Sequence, residues 1–216
     1  MKKKLWTIFI CLVMTAGLLP TVVFAAENYD LYVEGEQFTS ENLSIACGEG
    51  TATYDPDTTT LTLHNATIDN DITANYGIRA SIPDTLKIRL TGANTITRTD
   101  IGGGSGIRSD NAVEIIGDGT LTINVKGDTY DGVYVGADLK ISDKATVEIN
   151  SKGGLGISAD GIVEIDDAIV NSTGRHAGID AYGLKITNGA DVTLMATKDN
   201  CNGAFIRKDN EGNGGN

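Results

Sequence analysis

The feature that most constrains the fold of this chain is a short unit that recurs from residue 77 onwards and opens on glycine followed by an apolar, usually β-branched residue. Successive glycines lie 29, 26, 24, 22 and 25 residues apart, which is a solenoid period. One such unit cannot bury an apolar face alone, so neighbouring units must stack around a common core. The units open at Gly77-Ile78, Gly106-Ile107, Gly132-Val133, Gly156-Ile157, Gly178-Ile179 and, more weakly, Gly203-Ala204.

Two further apolar patterns recur within each unit, and both alternate apolar with polar residues as half-buried strands do. Together with the glycine-led segment they predict three short strands per coil, joined by turn-forming residues that leave no room for helices. The first pattern occupies residues 86–88, 113–115, 139–141, 163–165 and 184–186. The second occupies residues 95–96, 121–123, 147–149, 168–170 and 192–194.

These strands and corners predict an all-β fold, a right-handed parallel β-helix in which successive coils pair strand on strand. Residues 77–208 are predicted to form the coils. Residues 27–76 lack the period and are predicted to form an N-terminal β cap, because an open solenoid end exposes its core and a strand edge. Residues 209–216 are rich in glycine and asparagine and are predicted to be a flexible tail, which suggests a longer natural protein.

Residues 1–25 have the pattern of a secretory signal peptide: a basic start, an apolar run and a small-residue site ending at Ala25. A membrane span is the alternative, but Gly17 and Pro20 interrupt the apolar run. We therefore expect a secreted, monomeric protein without membrane contact after cleavage. Attachment to the cell surface through a missing C-terminal region is a further expectation.

Charge limits the partners of the exported domain. Loss of the three leader lysines changes the formal net charge from −12 to −15, which favours solubility and disfavours nucleic acid as a partner. The coil register also predicts one outward column in which lysine and glutamate alternate, and such a column is structural. Its members are Lys87, Glu114, Lys140, Glu164 and Lys185.

A less regular outward column is the candidate binding surface. The residue after each glycine-led pair should point away from the core, which aligns Arg79, Arg108, Tyr134, Ser158 and Asp180. Arginine binds carboxylates through paired hydrogen bonds, and a tyrosine ring offers a flat apolar face to a sugar. The alternative is that the arginines only neutralise Asp84 and Asp110. The predicted ligand-binding residues are Arg79, Arg108, Tyr134, Asp180, Tyr130 and Tyr182.

Aspartates at the coil corners are candidate calcium ligands. Calcium binds six to eight oxygens, and stacked corners could bring carboxylates and free carbonyls together. Aspartate is also a common turn former, so a purely structural role is the alternative. The predicted ligands are Asp110, Asp138 and Asp160 at one corner, and Asp118, Asp143 and Asp167 at another.

The N-terminal segment carries a family resemblance. The run from Tyr29 to Gly35, the turn Tyr54-Asp55-Pro56-Asp57 and the run from Thr60 to Ile68, followed by the coils, resemble secreted carbohydrate-binding β-helix proteins of clostridia and related Gram-positive bacteria. The resemblance covers essentially the whole exported chain. It implies a right-handed β-helix that binds acidic plant polysaccharide such as polygalacturonate, with calcium at the coils and no established catalysis.

The sequence thus predicts a secreted, non-catalytic carbohydrate-binding protein for acidic polysaccharide, assisted by calcium. A surface adhesin or structural stalk is the alternative, and a polysaccharide lyase is disfavoured. Asp166 and Asp167 would face opposite ways in an extended strand, so they do not form a hydrolytic pair. Neither His64 nor His176 has a plausible nucleophile beside it.

Overall fold

A computed structural model describes residues 25–70, 76–99 and 104–207, and these form an all-β solenoid of about five turns. The predicted parallel β-helix is therefore confirmed. Residues 1–24 of the predicted leader and the predicted tail lie outside the described residues. The part of the chain that is described holds no helix able to cross a membrane.

Twenty-two strands make up the described structure. In chain order they are β1 (Asn28–Val33), β2 (Glu36–Thr39), β3 (Ser44–Cys47), β4 (Gly50–Asp55), β5 (Thr60–His64), β6 (Thr67–Asn70), β7 (Ile78–Ala80), β8 (Leu86–Thr91), β9 (Ala93–Arg98), β10 (Ile107–Ser109), β11 (Val113–Ile116), β12 (Thr120–Val125), β13 (Val133–Val135), β14 (Leu139–Ile141), β15 (Thr146–Ser151), β16 (Ile157–Ala159), β17 (Ile162–Asp166), β18 (Ile169–Gly174), β19 (Ile179–Ala181), β20 (Gly183–Thr187), β21 (Asp191–Ala196) and β22 (Ala204–Ile206).

The strands form three sheets, and each full coil contributes one strand to each sheet. The first sheet has the order β2-β1-β7-β10-β13-β16-β19-β22. The second has the order β3-β4-β5-β8-β11-β14-β17-β20, and the third has the order β6-β9-β12-β15-β18-β21. Strands of successive coils pair in parallel, as the three repeated patterns predicted.

The N-terminal end of the core is covered by antiparallel strands. Strand β1 pairs antiparallel with both β2 and β7, and β3, β4 and β5 form an antiparallel meander. Phe38 and Tyr54 fill this end, with their ring centroids 5.7 Å apart and their side chains almost inaccessible. Parallel stacking already begins at β5, which pairs with β8, so the solenoid starts inside the segment predicted as a cap.

The core consists of columns of aliphatic side chains that repeat from coil to coil. At the inward position of the first sheet, Ile78, Ile107, Val133, Ile157 and Ile179 are at most 1% exposed. The second and third sheets carry equivalent columns, since Ile88, Ile115, Ile141, Ile123 and Ile149 are also fully buried. Period-two alternation therefore sets which face of each strand is buried.

One inward assignment from the sequence is wrong. The alternation placed Ala168 and Val170 opposite Val147 and Ile149, but the register pairs Val170 with Val147 and Ser172 with Ile149. Ser172 can occupy this inner position because its hydroxyl donates a hydrogen bond of 2.7 Å to the carbonyl oxygen of Gly178. Burial of a satisfied hydroxyl costs little, so hydrophobicity alone could not find the register.

The predicted column of alternating charge is present on the second sheet, where Lys87, Glu114, Lys140, Glu164 and Lys185 pair in register. Its ion pairs are concentrated at one glutamate. Glu164 lies 3.1 Å from Lys140 Nζ and 3.5 Å from Lys185 Nζ, whereas Glu114 has no ion pair within 4 Å among the described residues. The hydrogen bond from Lys140 holds the pKa of Glu164 below its ordinary value.

The difference in ion pairing between Glu164 and Glu114 predicts a small, pH-dependent effect on stability. Because the pKa of Glu164 is lowered by folding, its ion pairs stabilise the protein above the unfolded-state pKa, and this contribution is lost as the pH falls. We expect Glu164→Gln to lower the free energy of unfolding by less than about 1 kcal/mol at pH 7, and by nothing at strongly acidic pH. Glu114→Gln is the matched control and should have no effect. Urea unfolding at both pH values measures the stability of the two variants. Equal stability at pH 7 would contradict the conclusion that the ion pairs are concentrated at Glu164.

Candidate functional site

The first sheet carries a continuous outward column, which we call the Arg–Tyr column. It consists of the middle residues of the short strands together with Tyr32 from β1. The strand register places Tyr32 beside Arg79, then Arg108, Tyr134, Ser158, Asp180 and Phe205. Four predicted ligand-binding residues, Arg79, Arg108, Tyr134 and Asp180, therefore lie in one line along the solenoid axis, with about 4.8 Å between neighbours.

Arg108 is held between aromatic rings at the centre of the basic half of this column. Its guanidinium carbon lies 4.4 Å from the ring centroid of Tyr134 and 5.7 Å from that of Tyr76. Stacking of this kind occupies the flat faces of the guanidinium and leaves its N–H edge for a planar acceptor. The side chain is 35% exposed, and its closest carboxylate, Asp110, is 3.6 Å away. Arg108 is thus a partly exposed cation flanked by two aromatic rings.

Arg79 is exposed and pairs with no carboxylate within 4 Å in the described part of the chain. Its guanidinium carbon lies 5.9 Å from the ring centroid of Tyr32. The proposed neutralisation of Asp84 by Arg79 is therefore absent. Asp110, in contrast, is close to Arg108 and also accepts a 2.6 Å hydrogen bond from the hydroxyl of Ser81. The neutralisation alternative thus applies to Arg108 in part and does not explain Arg79.

In the other half of the column, Arg207 occupies the polar groups that could otherwise contact a ligand. Its Nε atom lies 2.7 Å from Asp180 Oδ1, its Nη1 atom donates a 3.0 Å hydrogen bond to Asp160 Oδ1, and its guanidinium covers the ring of Tyr182 at 4.5 Å. Asp180 and Tyr182, both predicted to bind ligand, are therefore engaged by this arginine. The carboxylate of Asp160 also accepts a 2.9 Å hydrogen bond from Tyr134. Arg207 first, and Tyr134 second, hold the pKa of Asp160 below its ordinary value.

Tyr130, the remaining predicted ligand residue, is half-buried and packs against the hydrophobic core. Its carbonyl oxygen accepts a 2.6 Å hydrogen bond from the Ser151 hydroxyl of the next coil. The structure places it at a corner before β13, outside the Arg–Tyr column. Its part in the fold is to join two coils.

Sequence reasoning missed four residues of this surface: Tyr32, Tyr76, Phe205 and Arg207. Phe205 follows Gly203-Ala204 by the same outward rule, so the repeat contained the signal for it. Tyr32 joins the column only because β1 pairs antiparallel with β7, and no local pattern announces that pairing. Arg207 reaches Asp160 across two coils, a contact that depends on the register of strands far apart in sequence.

Corner aspartates predicted as calcium ligands serve the turns. Asp143 and Asp167 have φ angles of 58° and 48°, and they occupy the corner position that Gly117 and Asn188 occupy in adjacent coils, also with positive φ. Aspartate, asparagine and glycine tolerate this left-handed conformation better than other residues. Asp118, one residue after Gly117, is exposed. Backbone conformation therefore accounts for Asp143 and Asp167 at this corner.

The other predicted calcium corner is similarly occupied. Asp138 Oδ1 accepts a 2.7 Å hydrogen bond from the backbone N–H of Ile162, and Asp110 and Asp160 bind the groups described above. Leu139 pairs in register with Val113. Asp138 directly precedes Leu139, but Asp110 lies three residues before Val113. The side chains of Asp138 and Asp110 therefore do not stack. Across residues 25–70, 76–99 and 104–207, no three His, Cys, Asp or Glu side chains form a metal-binding group. Calcium binding stays a prediction.

Comparison of the chain with models of known protein families, with curated proteins and with solved structures finds no match. The likeness to clostridial carbohydrate-binding β-helices therefore stays an expectation.

Proposed function

We propose that this protein is an extracellular, non-catalytic binder of acidic polysaccharide, and that the basic half of the Arg–Tyr column contacts the polymer. The observation that supports the proposal is the cation–π contact of Arg108 with Tyr76 and Tyr134, next to Arg79, which forms no ion pair with a described residue. Two cations and two tyrosine rings share this column, with Tyr76 beside it, on a chain of formal net charge −12. Such a line combines the two contacts that an acidic sugar needs.

Each residue type has a distinct part in the proposed contact. The N–H edges of Arg79 and Arg108 would donate paired hydrogen bonds to uronate carboxylates. The ring of Tyr32, which flanks Arg79, would pack against the apolar face of a sugar. Because the two arginines repeat at the strand spacing of about 4.8 Å, a linear polymer lying along the solenoid axis could meet both in succession.

The proposal assigns no reacting group to this surface. The nearest carboxylates, Asp110, Asp160 and Asp180, each lie against an arginine, and Asp160 also accepts a hydrogen bond from Tyr134. A general acid or base needs a proton that it can exchange with the substrate at working pH. The lowered pKa of Asp160 makes it a poor proton donor. Binding without reaction is the function that these contacts support best.

The direct test is retention of the exported chain on immobilised polygalacturonate. We expect retention that weakens as ionic strength rises, because the contacts are between exposed charges. A chelator should weaken it further, since bridging calcium would offset the acidity of both partners. Dextran, a neutral polysaccharide, is the control and should not retain the protein. Equal retention on both matrices, or none on polygalacturonate with calcium present, would refute the proposal.

A further inference from the structure

A second surface with two exposed lysines lies on the third sheet, at the corner that leads into the first sheet. It is an open groove of about 430 Å³, which we call the third-sheet groove. Amides, hydroxyls and two lysines line it, and no carboxylate does. Its polar lining is Asn124, Lys126, Asn150, Ser151, Lys152, Thr173 and Thr197.

The groove repeats from coil to coil. Asn124 pairs in register with Asn150, and Val125 pairs with Ser151, so Lys126 and Lys152 follow at equivalent positions. Both lysines are exposed. The Asn150 amide donates hydrogen bonds to Asn124 Oδ1 at 3.3 Å and to Glu148 Oε1 at 3.2 Å. The amide oxygen of Asn124 is therefore occupied, whereas its side-chain N–H groups have no partner among the described residues.

The two lysines of this groove have no carboxylate within 4 Å among the described residues. Lys126 and Lys152 form no ion pair there, although they stand on consecutive coils about 4.8 Å apart in a protein of net charge −12. Like charges at this spacing repel each other. On the second sheet, in contrast, Lys140 and Lys185 both flank Glu164. An anion between the two groove lysines would supply the missing counter-charge.

A comparison with the neighbouring groove supports selectivity for anions. The groove on the second sheet is lined by Lys87, Arg89 and Lys140, but also by Asp55, Glu114 and Asp143. Its charges are therefore mixed, and a carboxylate ligand would meet repulsion there. Beyond the third-sheet groove, Arg175 and Lys198 are exposed after β18 and β21, and neither forms an ion pair with a described residue. The basic edge therefore continues along the solenoid axis.

We infer that the third-sheet groove is a second binding site for the carboxylates of an acidic polysaccharide; this inference rests on the proposed function. Lys126 and Lys152 provide the positive charges, and Asn124 and the two threonines provide hydrogen-bond donors to hydroxyls and carboxylates. The corner residues 126–131 separate this groove from the Arg–Tyr column. One protein therefore holds two polymer strands and cross-links them.

The test is a calorimetric titration of polymer-free protein with a short galacturonate oligomer, which counts the binding sites on each chain. Wild type should bind two oligomers, and K126A/K152A should bind one, with the affinity of the lost site at least about tenfold weaker. R79A/R108A should also bind one, at the other site. K87A/K144A removes the same charge from β8 and from the corner between β14 and β15, and it should keep both sites. With long polygalacturonate, wild type and the control should increase viscosity by cross-linking, and both site variants should not.

The outcomes separate the two proposals. A single oligomer per chain, lost in R79A/R108A and unchanged in K126A/K152A, would overturn the second site and leave the proposed function intact. Binding that depends on Lys126 and Lys152 alone would instead remove the Arg–Tyr column from the proposed function. Absence of binding to wild type would remove both. Because all four side chains are on the surface, unchanged circular dichroism spectra should exclude misfolding as the cause.

Discussion

Gly132→Ala is expected to lower the free energy of unfolding by about 3 kcal/mol, the upper range for overpacking a tight interior. A Cβ atom at this position would lie 2.2 Å from the Ile149 methyl carbon Cγ2 and 2.7 Å from the carbonyl oxygen of Gly156. The isoleucine could move, but the carbonyl belongs to the backbone of the next coil. Relief of the clash would therefore require two hydrogen-bonded coils to separate.

Gly183→Ala is the matched control, because its added Cβ would approach only Ile162, at 3.3 Å or more. We expect this variant to stay within about 1 kcal/mol of wild type. Urea unfolding followed by far-ultraviolet circular dichroism measures both, since the sole tryptophan, Trp6, lies in the predicted leader. Equal stability of the two alanine variants would show that close coil packing is not the reason for glycine at the coil start.

The double substitution R79A/R108A is expected to weaken binding of polygalacturonate at the Arg–Tyr column by about 100-fold. A hydrogen-bonded contact to a charged group contributes about 1.5–3 kcal/mol, and the proposal gives one such contact to each arginine. Arg108→Ala alone should have the larger single effect, because its guanidinium is already oriented by Tyr134 and Tyr76 and loses little freedom on binding. Binding isotherms at one fixed salt concentration would measure these differences.

Arg89→Ala is the control for net charge in this experiment. Arg89 is exposed on β8 of the second sheet, so its removal changes the overall charge without touching the Arg–Tyr column. Its affinity should stay within about twofold of wild type, since distant exposed charges are screened. If Arg89→Ala weakened binding as much as Arg108→Ala, nonspecific attraction would explain the retention, and the column would have no special part.

Much of the fold could be predicted because its signals are local. Period-two alternation identifies the buried face of each strand, and glycine before Ile78, Ile107 and Val133 marks the start of each coil. The same rules predicted the column from Lys87 to Lys185 and the outward line of Arg79, Arg108 and Tyr134. These rules failed at Ser172, where a serine occupies a core position that is aliphatic in other coils. In the sequence, a buried serine with a hydrogen-bonded hydroxyl looks the same as an exposed serine.

The candidate site was less predictable because its contacts join residues far apart in sequence. The repeat aligned Asp180 with the arginines but gave no sign that Arg207 would lie 2.7 Å from it. Corner aspartates looked like metal ligands because turn formation and calcium binding favour the same residue. The φ angles of Asp143 and Asp167 distinguish the two explanations, and φ is not visible in a sequence.

The sequence by itself determined that this chain is a stack of parallel coils, because a strand period and a coil period together dictate which side chains are buried. Only the tertiary structure decided the neighbours across coils. It placed Tyr32 beside Arg79 through an antiparallel cap strand, set Arg108 against two tyrosine rings, and left Lys126 and Lys152 on adjacent coils without an ion pair to any described residue. The physical reason is that periodicity fixes the direction of a side chain, whereas corner length and strand register fix what it meets.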